Sequence, residues 1–330
     1  MPTLTATATA HPNIAFIKYW GNRDASQRLP QNSSLSFNLD GLLTRTRVSF
    51  SPALTSDSLK LNGKTITGPG LARVVNFLQL VRNLAGETIF AAVESTNNFP
   101  TGAGIASSAA AFAALALAAT SAIGMHLNEK DLSRLARRGS GSACRSVPGG
   151  FVEWQAGVED ADSYAASIAP PTYWDLIDCI AVVNASHKPT GSTEGHELAD
   201  TSPLQTARVV DTPRRLALCR SAVLSKDFSQ LAEIVEQDSN LMHAVMLTSQ
   251  PPLLYWQPAT LAVMQAVQGA RKRGLPACYT IDAGANVHVL TLASDVNPVR
   301  AIVEAVPGVS QIIQAGVGGP AMLQKPSLDG

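Results

Sequence analysis

Asn97-Asn98-Phe99-Pro100-Thr101-Gly102-Ala103-Gly104-Ile105-Ala106-Ser107-Ser108 joins a β-rich run, Thr88 to Ser95, to an alanine-rich apolar stretch that reads as a helix. Gly102 and Gly104 lack a Cβ, so the backbone there can approach a ligand closely and adopt positive φ. Ser107 and Ser108 fall in the first turn of the expected helix, where free N–H groups and the dipole favour an anion. A polyphosphate suits this combination. The stretch is neither a Walker loop, which needs a Gly-Lys-Ser/Thr ending, nor a Gly-x-Gly-x-x-Gly dinucleotide fingerprint. Read alone, it fits a turn with serine helix caps equally well.

Outward from this loop, the first half alternates strands and helices. Arg47 to Pro52 reads as a strand, and Asn62-Gly63 between Leu59 and Ile66 is a strong hairpin signal. Val74, Val75, Leu78 and Val81 recur at helical spacing within Leu71 to Leu84. Cys179 to Val183 has the look of a buried strand. The 184–215 stretch is rich in Ser, Thr, Pro and Gly and reads as a linker or mobile loop between lobes, with 186–203 the candidate to close over a substrate. Beyond it come helices at Phe228 to Gln237, Thr260 to Arg273 and Pro298 to Ala305. Strands are expected at Cys278 to Asp282, Val287 to Leu292 and Gln311 to Ala315, giving a split β-α-β pattern and an α+β class.

A chain of 330 residues is long for one core, so two closely packed lobes are expected. Hydrophobic residues make up 45% and charged residues 15%, which leaves ample apolar surface to bury. Lys plus Arg number 25 and Asp plus Glu 25, a balance that argues against nucleic acid or an anionic membrane as main partner. Cys144, Cys179, Cys219 and Cys278 have no metal-type spacing and read as small buried hydrophobes. The six histidines show no ligand spacing either. Met1 to Ala10 lacks the pattern of a secretory signal, and Ala109 to Ile123 is too short to span a bilayer, so a cytoplasmic protein is expected.

Three further stretches carry chemistry. Arg138-Gly139-Ser140-Gly141-Ser142-Ala143-Cys144-Arg145-Ser146 interleaves small residues with hydroxyls, and Arg145 can take a carboxylate or phosphate in bidentate fashion; a glycine-serine loop with a surface arginine is the plainer reading. His11 to Gly21 is an apolar strand ending in Lys18-Tyr19-Trp20-Gly21. A buried lysine there must be paired or functional, whereas at a strand edge it would snorkel. Thr280-Ile281-Asp282-Ala283-Gly284 puts a carboxylate at the end of an apolar strand, as a base in a cleft or simply as a turn former.

Together and in this order, the stretches resemble the mevalonate diphosphate decarboxylases of the GHMP kinase superfamily, from about Ala6 through Gly319. The matching segments are NIAFIKYWGNRD (13–24), QNSSLS (31–36), NNFPTGAGIASSAA (97–110), GSGSACRS (139–146), GGFVEW (149–154), TGSTEG (190–195), DSNLMHAV (238–245) and YTIDAGANV (279–287). The resemblance implies a two-lobed GHMP kinase fold, with an N-terminal α/β domain over 1–184 and a ferredoxin-like C-terminal domain over 185–330 that carries the catalytic aspartate. It implies an ATP-dependent carboxy-lyase that phosphorylates a 3-hydroxyl and then loses phosphate and CO₂. Asp282, Lys18 and Arg145 match the catalytic positions. Asn13, Tyr19, Asn22, Ser140, Gly141, Ser142 and Ser192 match the substrate pocket. The ATP phosphates fall to Asn97, Pro100, Gly102, Gly104, Ala106, Ser107 and Ser108, with Ser107 on the Mg²⁺ side. A homodimer is the family's usual state.

The sequence departs from the family at two places, the first the more telling. The usual Lys-Tyr-Trp-Gly-Lys reads Lys18-Tyr19-Trp20-Gly21-Asn22 here, and the lost lysine is one that helps hold the substrate's terminal phosphate. A missing charge-assisted contact costs roughly 1.5–3 kcal/mol. The usual Gly-Met near the substrate serine becomes Gly195-His196, flanked by Glu194 and Glu197. These changes favour mevalonate 5-phosphate as substrate and isopentenyl phosphate as product. The alternatives are the 5-diphosphate, with a basic residue such as Arg23 compensating, and a 3-kinase that does not decarboxylate. A non-catalytic sensor is the reading from another class, and its mark, loss of a catalytic residue, is absent.

Overall fold

The computed structural model describes residues 3–99, 107–183 and 191–325. A six-stranded sheet runs in the order Met322–Leu323, Leu4–Ala10, Thr44–Ser51, Phe90–Asn97, Ser58–Leu61, Lys64–Ile66. Thr44–Ser51 alternates buried and open positions along its length, the mark of a sheet covered on one face. Asn62 and Gly63, with φ of 49° and 77°, close the expected hairpin in the left-handed conformation that such two-residue turns demand.

Helices Gly68–Ala85, Ser107–Ala122 and Glu129–Gly139 pack on the covered face, and the first buries Val74, Phe77, Leu78 and Val81. Val75, expected on the same side, is only half-buried. Helix Ser107–Ala122 is buried nearly all round, and its alanines let it lie close against strands Leu4–Ala10 and Thr44–Ser51. That placement fixes its N-terminus, the end that follows the glycine loop.

A second, four-stranded sheet is ordered Ala165–Ala169, Phe151–Trp154, Ser34–Asn38, Asn13–Ile17. Its last three strands are fully buried, and Phe16, Phe37 and Phe151 meet at its centre with ring centroids 5.4–6.4 Å apart. The third sheet is antiparallel throughout, ordered Ala277–Thr280, Val287–Leu292, Leu176–Val182, Gln311–Ala315. In chain order this is the split β-α-β arrangement of a ferredoxin-like fold. Helices Pro258–Lys272 and Val296–Glu304 cover one face, while the other joins the phenylalanine core with helices Gln205–Ser225 and Phe228–Thr248. Leu176–Val182 precedes residue 184, yet both strands it pairs with follow that point.

The expected linker over 184–215 is corrected. Residues 184–190 lie outside the described residues, but Ser192–Leu198 and Gln205–Ser225 are helices, the second running through Pro213. Its inward face is held by buried Arg208 and Arg215, which offsets the hydrogen bond that Pro213 cannot donate. All four cysteines are free and buried. Among the described residues, no helix is long and apolar enough to cross a membrane.

Candidate active site

Strand Asn13–Ile17 is walled by apolar neighbours on both faces, so the lysine that follows it emerges inside the protein. Lys18 is only 1% exposed. Its backbone is fixed from three sides: the N–H donates to Asp238 Oδ2 at 2.6 Å, and the carbonyl accepts from Asn32 Nδ2 at 2.9 Å and from an Arg208 guanidinium nitrogen at 2.7 Å. Asp238 is itself anchored by Arg215 Nε at 2.8 Å. The lysine is thus both buried and aimed, and snorkelling is ruled out for it.

Its target is Asp282. The Nζ–Oδ1 distance is 2.6 Å, and the aspartate side chain keeps 29% of its surface exposed, so the pair opens on one side. Asp282 follows strand Ala277–Thr280, which the Thr280 hydroxyl ties to Ala15 O at 3.3 Å and the Ser239 hydroxyl supports at the Ile281 N–H at 3.0 Å. Burial would raise the Asp282 carboxyl, but the charges of Lys18, His288 and Arg145 outweigh it and hold the group below the usual carboxylate range. Burial pulls the Lys18 ammonium down, against the opposing pull of Asp282 and Asp238.

Arg145 lies in the short 3₁₀ turn Gly141–Ser146 and is 4% exposed. Its acceptors are all neutral: Asn13 Oδ1 at 3.0 and 3.2 Å, Ser36 Oγ at 3.1 Å and Ser34 Oγ at 2.7 Å. Asn13 in turn donates to Ser142 O and to Ser146 Oγ. A buried guanidinium whose hydrogen-bond acceptors among the described residues are all neutral is prepared for an incoming carboxylate.

Tyr19 packs against the same turn. Its hydroxyl donates to Asn22 Oδ1 at 2.5 Å, and its ring meets Trp154 edge-on and stacks on His196 with centroids 4.1 Å apart. A Cβ at Gly141 would stand 2.5 Å from that ring, so only glycine fits there. The Ser140 hydroxyl lies 3.3 Å from that of Ser108, which joins the Ser140–Ser142 stretch to the first turn of helix Ser107–Ala122. Beside that turn is a cavity of about 220 Å³. Leu59, Leu61, Ile66, Val93 and Leu115 make its apolar wall, and Asn97, Ser107 and Ser108 its polar edge.

The structure therefore gathers Lys18, Asp282, Arg145, Asn13, Tyr19, Asn22, Ser140, Gly141 and Ser142 around one site, with Asn97, Ser107 and Ser108 at the adjoining cavity. Pro100, Gly102, Gly104 and Ala106 lie outside the described residues. Ser192 opens helix Ser192–Leu198, and its side chain is likewise outside them. Sequence reasoning missed the cavity's apolar wall and a buried pair near Asp282, Asp178 Oδ2 with His288 Nδ1 at 2.5 Å. The pair joins strands far apart in the chain, and no local signal announces it.

Comparison with known proteins gives a consistent picture. Residues 10–165 match a model described as the diphosphomevalonate decarboxylase-like N-terminal domain, and residues 179–324 one described as the mevalonate 5-diphosphate decarboxylase C-terminal domain. A diphosphomevalonate decarboxylase of Aspergillus fumigatus is 40% identical over 325 residues, covering 92% of this chain and 80% of its own. The Homo sapiens diphosphomevalonate decarboxylase is 40% identical, with 88% and 78% covered. Among solved structures, MDDEF in complex with MVAPP, AMPPCP and magnesium superposes with a TM-score of 0.93 at 40% identity, covering 98% of this chain and 100% of that one. Mevalonate diphosphate decarboxylase from Staphylococcus aureus gives 0.94 at 38% identity, covering 98% and 99%.

Proposed function

The chain belongs to the diphosphomevalonate decarboxylase family of the GHMP kinase fold, and on that premise we propose that it decarboxylates a 5-phosphorylated mevalonate at the expense of ATP. The observation that carries the reading is the Lys18–Asp282 pair, buried on the lysine side and partly open on the aspartate side, together with a buried arginine whose acceptors are all neutral. The names of the relatives support mevalonate 5-diphosphate as substrate, and its ATP-driven decarboxylation gives isopentenyl diphosphate, ADP, phosphate and CO₂.

Each residue then has a defined task. The Asp282 carboxylate accepts the proton of the 3-hydroxyl as that oxygen attacks the γ-phosphoryl group of ATP. Lys18 keeps Asp282 ionised and faces the charge on the transferring group. Arg145 holds the substrate carboxylate. When the C3–O bond breaks, its electron pair leaves with phosphate; the bond to the carboxylate carbon then breaks, and its pair forms the alkene as CO₂ departs. The cavity beside Ser107 and Ser108 takes the base of ATP, and the free N–H groups of the helix take its phosphates. Ser107 offers a neutral oxygen suited to Mg²⁺. That ion, when bound with ATP, neutralises charge on the phosphate oxygens. The reading extends to a homodimer, as the family resemblance implies, in the cytoplasm, as the sequence predicts, and sedimentation would test the assembly.

A second reading, mevalonate 5-phosphate, rests on a specific observation. The two departures from the family pattern, Asn22 and His196, meet on Tyr19: one accepts from its hydroxyl and the other stacks on its ring. Arg23 does not replace the missing lysine, because its guanidinium donates to the carbonyls of Pro30 and Ala156. Steady-state kinetics on both substrates decides. The first reading expects kcat/KM for the diphosphate to exceed that for the monophosphate by about tenfold or more; the reverse order replaces it with the second. CO₂ is expected in equal amount to ADP, and ADP without CO₂ would make the enzyme a kinase only.

The pH profile follows from the Asp282 environment. A carboxyl held below the usual range stays ionised down into strongly acidic solution, so kcat/KM keeps its plateau through neutral pH and falls only as pH drops through that lowered value. The same pairing stabilises the fold above the ordinary carboxylate range and is lost across the same acidic window. In Lys18→Met the carboxyl keeps its burial and loses its ammonium, so the acid limb moves to higher pH. An unmoved limb would show that some other group titrates there.

A further inference from the structure

Helix Ser192–Leu198 opens with the serine that the family pattern places in the substrate pocket, yet little in its own sequence fixes it. It has seven residues, too few to stand as an isolated helix, and its N-cap, Gly191, makes no side-chain hydrogen bond. Thr193, Glu194 and Glu197 on it are exposed. Gly195 and His196 set its place instead, against Tyr19, Trp20 and Gly21. A Cβ at Gly195 would stand 2.5 Å from the far edge of the Trp20 ring, so the helix backbone lies directly on the indole. His196 stacks on Tyr19, with centroids 4.1 Å apart, and leans on Trp20 at 4.6 Å.

One hydrogen bond orients that ring. The Gly21 N–H donates to His196 Nδ1 at 3.0 Å. An amide can only donate, so Nδ1 presents its lone pair and the ring proton sits on Nε2. Gly21 is buried, with φ 92°, and the carbonyls on either side of its N–H are engaged elsewhere. Trp20 O accepts from Gln205 Nε2 at 2.8 Å, and Gly21 O accepts from the Gln31 N–H at 3.1 Å. A buried N–H that loses its acceptor is left uncompensated, so the bond holds both of its ends. Those ends are far apart in the chain: Gly21 closes the Lys18-Tyr19-Trp20 segment after strand Asn13–Ile17, and His196 lies one turn after Ser192. Stacking on Tyr19 asks only for a flat ring, which phenylalanine would supply; the nitrogen at the δ1 position is what the Gly21 amide needs.

We infer that His196 is a positioning residue, which seats helix Ser192–Leu198 on the Gly21 amide and so places Ser192 at the Tyr19 side of the substrate pocket. The inference rests on the proposed reaction for the role of Ser192, and goes beyond it in naming what holds that serine. A packing role for the ring is the plainer alternative, and the two differ in which atom matters.

Two substitutions separate them. His196→Phe keeps the flat ring and removes the acceptor. His196→Asn removes the ring and keeps an acceptor, because Oδ1 stands as many bonds from Cβ as Nδ1 does. The full-length enzyme and both variants are assayed with mevalonate 5-diphosphate and mevalonate 5-phosphate, and KM for ATP is measured separately. His196→Phe is expected to raise KM for the phosphorylated substrate by about tenfold, with kcat little changed and KM for ATP as in the wild type. His196→Asn recovers most of that loss. Ser192→Ala raises the same KM, and adding His196→Phe to it costs little more, because both remove one contact. A packing role gives the opposite order, with Phe close to wild type and Asn the weaker variant. That order overturns the inference, and so does full additivity of the Phe and Ala changes. Turnover by the wild type tests the proposed reaction separately. Should it turn over neither substrate, hydrogen exchange at the Gly21 amide still decides: faster exchange in His196→Phe with protection kept in His196→Asn supports the seating, and equal exchange in all three proteins refutes it.

Discussion

Asp282→Asn is expected to lower kcat by about 10³-fold while leaving ATP binding intact. The amide has nearly the same shape and still accepts from Lys18 Nζ, so the geometry of the site survives. What disappears is the lone pair of a true base and the negative charge facing a lysine that is 1% exposed. Removing one member of a buried ion pair commonly costs about 3–5 kcal/mol. Asp282 is partly open, so the lower end of that range is expected, close to 3 kcal/mol. Denaturant unfolding and single-turnover kinetics, run on one preparation, separate the two effects. Lys18→Met added to Asp282→Asn should return much of the stability and none of the turnover, because the pair couples in stability while each member is needed for chemistry. Near-normal turnover by Asp282→Asn would remove it as the base.

How far the sequence could be read depends on how local each signal is. Asn62-Gly63 specifies its hairpin within two residues, and the loop before Ser107 announces itself through glycine and an alanine run. Strand Leu176–Val182 is visible as an apolar β-rich run, but not that it lies between Val287–Leu292 and Gln311–Ala315, because pairing over such separations leaves no local trace. Helix Gln205–Ser225 was hidden by Pro213 and by the Ser/Thr-rich residues before it. It forms because Arg208 reaches the Lys18 carbonyl and Arg215 reaches Asp238, contacts that reward helix at this place and nowhere else. The candidate site divides in the same way. Lys18 stands out because it interrupts a stretch otherwise fit for burial, whereas Arg145 in its glycine-serine loop and Asp282 at its strand end gain meaning only from the family pattern.

Arg145 gives the second large effect, and its sign differs between stability and activity. In the free protein its guanidinium is desolvated and satisfied only by Asn13, Ser34 and Ser36. Arg145→Met removes a buried charge, a gain, and leaves those partners short of a donor, a loss of about 1–3 kcal/mol for each group that stays buried and unpaired. These terms oppose, so the unfolding free energy is expected to move by no more than about 2 kcal/mol in either direction. Catalysis has no such cancellation. Without the guanidinium the substrate carboxylate loses its charge-assisted bonds, worth about 1.5–3 kcal/mol, or one to two decades in KM. The carboxylate is also no longer held in line with the breaking C3–O bond, so kcat falls as well, and kcat/KM drops by about 10³-fold or more. Arg145→Lys keeps the charge and forfeits the fork, and it should recover part of the KM loss but little of kcat. A stability loss in proportion to the activity loss, with the two falling together across Met, Lys and Gln, would instead make Arg145 a structural brace for Asn13 and the 3₁₀ turn.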